Sequence, residues 1–245
     1  MTMKVCALIP TYDNPTTIAQ VVEGVRRHLS DILVIDDGSA EPARRVLTDL
    51  AAAGDCSLLV RPQNGGKGAA LWDGLSWAKE HGYDYALAID ADLQHDSVDI
   101  PRFLARIDPR PTLVLGAPVF DDSAPAIRRF GRQISVFWVM VETLSRKIGD
   151  PLCGYRVYPV AAALATGARG RGMDFDPEIA VRLVWAGVTV EHVTTHVFYP
   201  PGGVSHFRGF ADSMLIARLH TRLCLEGLWR LARRALRALS GRPRG

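Results

Sequence analysis

The apolar run Tyr85 to Ile89 leads directly into Asp90-Ala91-Asp92-Leu93-Gln94-His95-Asp96, a loop that holds three carboxylates. Two carboxylates one residue apart at the end of a buried strand present hard oxygen ligands to Mg²⁺ or Mn²⁺ beside a substrate diphosphate. The plainer alternative is that Asp90 and Asp92 solvate a strand end and cap a helix beginning near Ser97. His95 sits beside the pair, and a lone His there serves equally well to hold the loop by hydrogen bonds.

Other groups with chemical potential lie at comparable places. Asp36 and Asp37 follow the apolar run Ile32 to Ile35; carboxylates there accept hydrogen bonds from nucleotide hydroxyls, or else simply form an Asp-Gly turn. Asn64-Gly65-Gly66-Lys67-Gly68 is glycine-rich but is not a P-loop, since Arg61 and Gly68 stand where that motif needs Gly and Ser or Thr. A helix N-terminus with free amides remains, which favours an anion. Asp150 to Arg156 joins a carboxylate, a proline and a cation, suited to the acceptor side of a transferase or to a salt-bridged connector. Glu178 is a second carboxylate of either kind, being well placed at a helix's positive end. His192 and His196 read as structural.

The elements that must position these groups alternate strand and helix. Strands are expected at Val5 to Ile9, Ile32 to Ile35, Ser57 to Val60, Tyr85 to Ile89 and Thr112 to Leu115, with helices at Thr16 to Leu29, Glu41 to Ala52, Gly68 to Glu80 and Val98 to Ile107. That alternation is the signature of stacked βαβ units and a mostly parallel sheet flanked by helices, whose ligands bind at the strands' carboxyl ends. Pro118 to Pro125 reads as a loop over the site. A long helix is expected from Ile127 to Lys147, another from Pro177 to Ala186, and a strand from Val188 to Val193.

The 245 residues suit one sizeable core. Four scattered cysteines encode neither a zinc knuckle nor a disulfide framework and fit a reducing compartment. The apolar run near Met1 is too short for a signal peptide's core, and no stretch is long and apolar enough to span a bilayer. A cytoplasmic protein is expected. Charge is uneven: His206 to Gly245 holds nine Arg against Asp212 and Glu226, a net +7 on a chain of total +3, so the body carries −4. On a helical wheel Leu225, Leu228, Ala232, Ala235, Leu236 and Leu239 share one face, opposite Arg230, Arg233, Arg234 and Arg237. This C-terminal basic amphipathic helix either lies on an anionic membrane or packs its leucines on the body with the arginines solvated. No nucleic-acid signature accompanies the basic stretch.

Taken in order, Ile9-Pro10-Thr11-Tyr12, Val34 to Ser39, Asn64 to Ala70, Asp90 to His95 and Asp150 to Arg156 resemble family 2 glycosyltransferases of the GT-A (Rossmann-like) fold, especially the polyprenyl (dolichyl) phosphate mannosyltransferase branch. The resemblance covers roughly residues 4 to 210, and the chain is read as a 1–210 GT-A domain followed by a 211–245 helical tail. It implies that Pro10, Tyr12, Ile35 and Asp37 hold the nucleotide, that Ala91 packs beside ribose and diphosphate, and that Asp90, Asp92 and Gln94 gather a Mg²⁺ or Mn²⁺ ion. It also implies an inverting hexosyl transfer from a GDP- or UDP-sugar to a lipid-linked acceptor, with Asp92 in the catalytic centre.

Three cations expected in the polyprenyl phosphate branch are absent: Gly116-Ala117-Pro118 stands in one place, and Pro200 and His206 flank Gly203-Val204-Ser205 in the other. Arg128, Arg129, Arg132, Arg156 and Arg208, with His206, are the candidates to meet an acceptor phosphate. A hydroxyl acceptor, as in aryl-polyene-like pathways, would need a general base, with Asp150 the first candidate and Glu178 the second. A nucleotidyltransferase and a non-catalytic nucleotide-binding partner are the remaining alternatives. The favoured reading is sugar transfer to polyprenyl phosphate by an enzyme in peripheral contact with the inner membrane face.

Overall fold

The computed structural model describes residues 3–120, 126–198 and 209–239, and side chains within these except for 126–129 and 238–239. Seven strands form one sheet in the order β3-β2-β1-β4-β6-β5-β7. They are β1 (Val5–Thr11), β2 (Ile32–Asp36), β3 (Ser57–Val60), β4 (Tyr85–Ala88), β5 (Thr112–Phe120), β6 (Arg156–Pro159) and β7 (Thr189–Val197). All pairings are parallel except those of β6, which runs antiparallel to both β4 and β5. The helices are α1 (Ile18–Arg26), α2 (Ala43–Ala52), α3 (Lys67–Glu80), α4 (Ile100–Leu104), α5 (Ala126–Thr143), α6 (Val160–Ala165), α7 (Phe175–Trp185) and α8 (Gly209–Leu239).

The central strands are covered on both faces, which is why they read as continuous apolar runs rather than alternating ones. Side chains of β1 still divide by parity. Cys6 and Leu8 enter the core shared with α3, α6 and α7, while Ala7 and Ile9 enter the core shared with α1, α2 and α4. Gly74 lets α3 lie close to the sheet, since a Cβ there would stand 3.1 Å from Ile35 Cδ1.

The second half departs from the expectation in three places. Pro118 to Phe120 is not loop but the end of β5, paired with Thr195 to Val197 of a β7 longer than foreseen; residues 121–125 lie outside the described residues. Asp150 to Tyr158 conceals β6, and α6 follows it at once. The long helix α5 ends at Thr143, where Leu144 takes a positive φ of 50°.

Helix α8 is a single 31-residue helix. Leu219 and Leu223 bury into the main core, His220 Nδ1 lies 2.8 Å from Glu142 Oε1 on α5, and Arg182 of α7 pairs with Glu226. The face carrying Leu225, Leu228 and Leu236 therefore points away from the body and is exposed. This corrects the alternative in which those leucines pack inward. The inward side is instead met by Arg230, which donates to Trp185 O at 3.3 Å, and Arg222, which pairs with Glu178.

Candidate active site

The carboxyl ends of β1, β2 and β4 are stitched into one crevice. Asp13 Oδ1 accepts from Ala40 N at 2.9 Å and Asp13 N donates to Ser39 Oγ at 3.0 Å, tying the β1 end to the β2 end. Thr17 at the start of α1 donates to Ala91 O at 2.5 Å, tying α1 to the acidic loop. Leu93 takes φ 61°, a left-handed conformation uncommon for a branched side chain. The turn it makes brings Gln94 N to 3.0 Å from Asp92 Oδ1.

Asp90 and Asp92 are in unequal states. Asp90 Oδ1 lies 2.7 Å from Lys67 Nζ at the start of α3, and Lys67 reaches Asp176 Oδ2 on α7 at 3.2 Å. Asp176 accepts in turn from the Tyr158 hydroxyl at 3.0 Å and lies 3.7 Å from Arg156 Nε. Gly154 leaves room for this relay, because a Cβ there would overlap both Asp90 Oδ2 and Lys67 Nζ.

Burial works against the Lys67 charge, but Asp176 and Asp90 outweigh it and hold the ammonium above its ordinary range. Burial likewise works against the Asp90 carboxylate, and Lys67 outweighs it, holding Asp90 below the ordinary value. Asp92 has no such companion: burial first, then the charge of Asp90, pushes it up to about 6. His95 is pushed down to about 4 by burial and stands neutral, its Nδ1 buried without a hydrogen-bond partner.

This pair fits a divalent cation. Asp92 is raised by burial first and then by the charge of Asp90, and a hard cation on its oxygens would offset both. No group of three or more His, Cys, Asp or Glu side chains suited to a metal is present among the described residues. An open carboxylate pair matches Mg²⁺, which leaves positions for water and substrate phosphate rather than taking a closed protein cage.

The other expected site residues fall into two groups. Tyr12 is exposed just past β1, Ala91 is buried within the acidic loop, and the backbone carbonyl of Gln94 accepts from Phe198 N, just past β7, at 3.0 Å. Pro10 and Ile35 are buried strand residues, with the Ile35 side chain in the core below the crevice rather than in it. Asp37 is 3 % exposed and takes Gly65 N at 2.9 Å, Gly66 N at 2.7 Å and the Arg61 guanidinium. Its visible task is to clamp the glycine loop. The α3 amide of Ala69, expected to be free, donates to Arg171 O at 3.0 Å. Asp36 Oδ2, by contrast, is buried with no donor.

On the acceptor side two expectations give way. Arg156 is fully buried, bonding the carbonyls of Pro151, Cys153 and Asp176, so it holds the β6 turn together and offers nothing to an acceptor phosphate. Glu178 is also fully buried, accepting from Arg169 N, Gly170 N and Arg182 and pairing with Arg222. An anion so committed anchors α7 and is no base. Arg132 lies 2.7 Å from Asp150 Oδ2, with its guanidinium over the Phe120 ring. Asp150 also accepts from Leu152 N at 2.8 Å. Nothing is described of the Arg128 and Arg129 side chains, and His206 and Arg208 lie outside the described residues.

Sequence reasoning assigns no role to Lys67, Tyr158 or Asp176. The available signal was Lys67 itself, a lone cation after paired glycines at a helix start, facing a strand that ends in carboxylates.

A mostly parallel sheet with this carboxylate pair at the end of a central strand is the GT-A architecture. The chain belongs to glycosyl transferase family 2, whose family model matches residues 6–163, more than half of it. An uncharacterized protein of Methanocaldococcus jannaschii is 26% identical over 217 residues, covering 82% of this chain and 90% of that protein. Polyprenol monophosphomannose synthase of Mycolicibacterium smegmatis is 28% identical over 166 residues, covering 64% of this chain and 62% of that enzyme, less than two-thirds of its length. Among solved structures, glucosyl-3-phosphoglycerate synthase from Mycobacterium tuberculosis, crystallised with Mn²⁺, UDP and glucosyl-3-phosphoglycerate, superposes with a TM-score of 0.68. Identity there is 16%, over 91% of this chain and 80% of that one. At that identity the likeness establishes the fold.

Proposed function

We propose that the protein is an inverting glycosyltransferase that moves a sugar from a GDP- or UDP-sugar to polyprenyl phosphate, working at the cytoplasmic face of a membrane with Mg²⁺ or Mn²⁺. The observation that carries the donor half is the Asp90–Asp92 pair, one member ion-paired with Lys67 and the other raised by burial and by its neighbour's charge, in a family 2 chain. Asp92 and the free oxygen of Asp90 would hold the cation. Bound there, it supplies charge neutralisation to the departing nucleoside diphosphate. Asp36, whose Oδ2 has no donor, and Tyr12 at the ends of β2 and β1 would meet the nucleoside, with Asp37 holding the glycine loop beside them. Lys67 keeps Asp90 ionised and aligned, and Gly154 gives the pair its space.

The acceptor half rests on what is missing. A phosphate acceptor is already ionised near neutral pH and attacks without a strong base, whereas a hydroxyl acceptor needs one. Glu178 is buried and saturated, and Asp150 is paired with Arg132, so neither of these two carboxylates stands open as a base. Arg132 is then the described cation best placed to meet an acceptor phosphate, with Asp150 fixing its guanidinium. The relative named as a polyprenol monophosphomannose synthase supports the same class of acceptor.

The test is radiolabelled transfer from GDP- and UDP-sugars into polyprenyl phosphate, followed by mild acid. A lipid product cleaved by mild acid is expected. An acid-stable lipid glycoside would move the acceptor to a hydroxyl, and no transfer to any lipid would overturn the reading.

A further inference from the structure

Helix α5 has two apolar faces, and only one of them meets the body. Val139 and Ser135 are buried inward, whereas Phe130, Ile134, Phe137, Val141 and Leu144 are exposed. The first four recur at intervals of four, three and four residues, a straight stripe along one side of the helix, and Leu144 follows just past its end. The paired helix α8 carries its own stripe, with Leu225, Leu228 and Leu236 turned from the core.

The helices lie side by side, joined by the Glu142–His220 contact and by Trp138 stacked on His220 at 6.4 Å, and both stripes stand opposite their buried sides. The two outward apolar faces, on helices packed against each other, form the α5–α8 plate. Phe130, Phe137, Leu144, Leu225 and Leu228 are 66, 57, 69, 65 and 64 % exposed, and so many large apolar side chains turned to solvent on two neighbouring helices mark an interaction surface.

We infer that this α5–α8 plate docks the protein onto an anionic bilayer surface and sets its crevice against the headgroups. Charge selects the occupant. The carboxylates of α5 and α8 are Glu142, Asp212 and Glu226, and each is turned inward, Glu142 to His220, Asp212 into a buried place and Glu226 to Arg182. Arg233, Arg234 and Arg237 are exposed on the same end of α8 that carries Leu228 and Leu236. Apolar side chains with arginines and without exposed acids suit the interface of an anionic leaflet. Among the described residues no helix is long and apolar enough to cross a membrane, so the plate lies on the surface.

The placement also serves the site. Phe130 begins the stripe two residues before Arg132, whose guanidinium pairs with Asp150 on the acceptor side. A phosphate carried on a lipid anchored in that leaflet would meet Arg132 at the rim of the plate. This inference rests on the lipid-linked acceptor proposed above, and the experiment separates the two.

Full-length protein is sedimented with vesicles of equal phosphatidylcholine and phosphatidylglycerol, and with phosphatidylcholine alone. Wild type is expected to bind the anionic vesicles, less so as salt rises. The pairs Phe137→Glu/Leu144→Glu on α5 and Leu225→Glu/Leu228→Glu on α8 should each lower partition by roughly tenfold or more, with far-UV circular dichroism and melting unchanged because all four side chains are exposed. Retention of wild-type binding by the α5 pair would overturn the plate. So would a wild-type dimer, seen by light scattering, that either pair splits while vesicles bind neither form, since a second copy would then be the occupant. Transfer to a short-chain, water-soluble polyprenyl phosphate should be equal in wild type and both pairs. Were it absent in wild type while vesicle binding behaved as expected, the acceptor reading would fall and the plate would stand.

Discussion

Lys67→Met removes the one cation between Asp90 and Asp176 while keeping most of the side chain's volume. Breaking a buried ion pair by deleting one partner costs about 3 to 5 kcal/mol. Here the cost is smaller, because Asp176 keeps the Tyr158 hydroxyl and Arg156, and the Asp90 side chain is 25 % exposed. Roughly 2 to 3 kcal/mol remains after that discount. For a chain of this size the melting temperature should fall by about 4 to 12 °C at pH 7.

The pH dependence carries the sharper test. In wild type Asp90 is held below its ordinary 3.8, so the stability from the pair is complete above that value and is lost as pH falls through the folded-state value. In the variant, burial without the counter-charge places Asp90 above 3.8, and its penalty shrinks on acidification. The gap between the two proteins should therefore narrow steadily from pH 7 to pH 4 in urea titrations. A second substitution, Asp176→Asn, should return part of the lost stability at pH 7. Equal stability at pH 7, or a gap that does not move with pH, would refute the relay.

Gly154→Ala places a methyl against Asp90 Oδ2 and Lys67 Nζ; overpacking of this kind costs about 1 to 3 kcal/mol, and the displaced carboxylate should weaken Mn²⁺ binding, read by electron paramagnetic resonance of the free ion. His192 is held below its ordinary 6.5 by burial and accepts from Gly149 N. A lowered His contributes stability that is whole above 6.5 and declines as pH falls toward the folded-state value, so urea midpoints should drop between pH 7 and pH 5, and His192→Gln should flatten that slope.

The first 116 residues were legible because parallel strands buried on both faces write themselves as apolar runs, with a helix between each pair. Asp90 and Asp92 were legible for the same reason, being the residues that follow such a run. Strand β6 was not, since it has four residues and opens on Arg156, a cation that belongs in the core only because three carbonyls surround it. The relay through Lys67 joins α3, β4, β6 and α7, and no local pattern records a contact between segments so far apart. The wheel of α8 put Leu225, Leu228 and Leu236 on one face but carried no information on which way that face turns; Leu219, His220 and Leu223, half a turn round, decide it.

We propose that Asp90 and Asp92 form a cation-dependent nucleoside diphosphate site. Calorimetric titration of the protein with GDP and with UDP, in Mn²⁺ and then in EDTA, tests it most directly. One of the two nucleotides should bind in Mn²⁺, lose at least tenfold in affinity in EDTA, a difference of about 1.4 kcal/mol, and lose as much in Asp92→Asn. Binding of equal strength in Mn²⁺, in EDTA and in the variant, or no binding of either nucleotide, would contradict it.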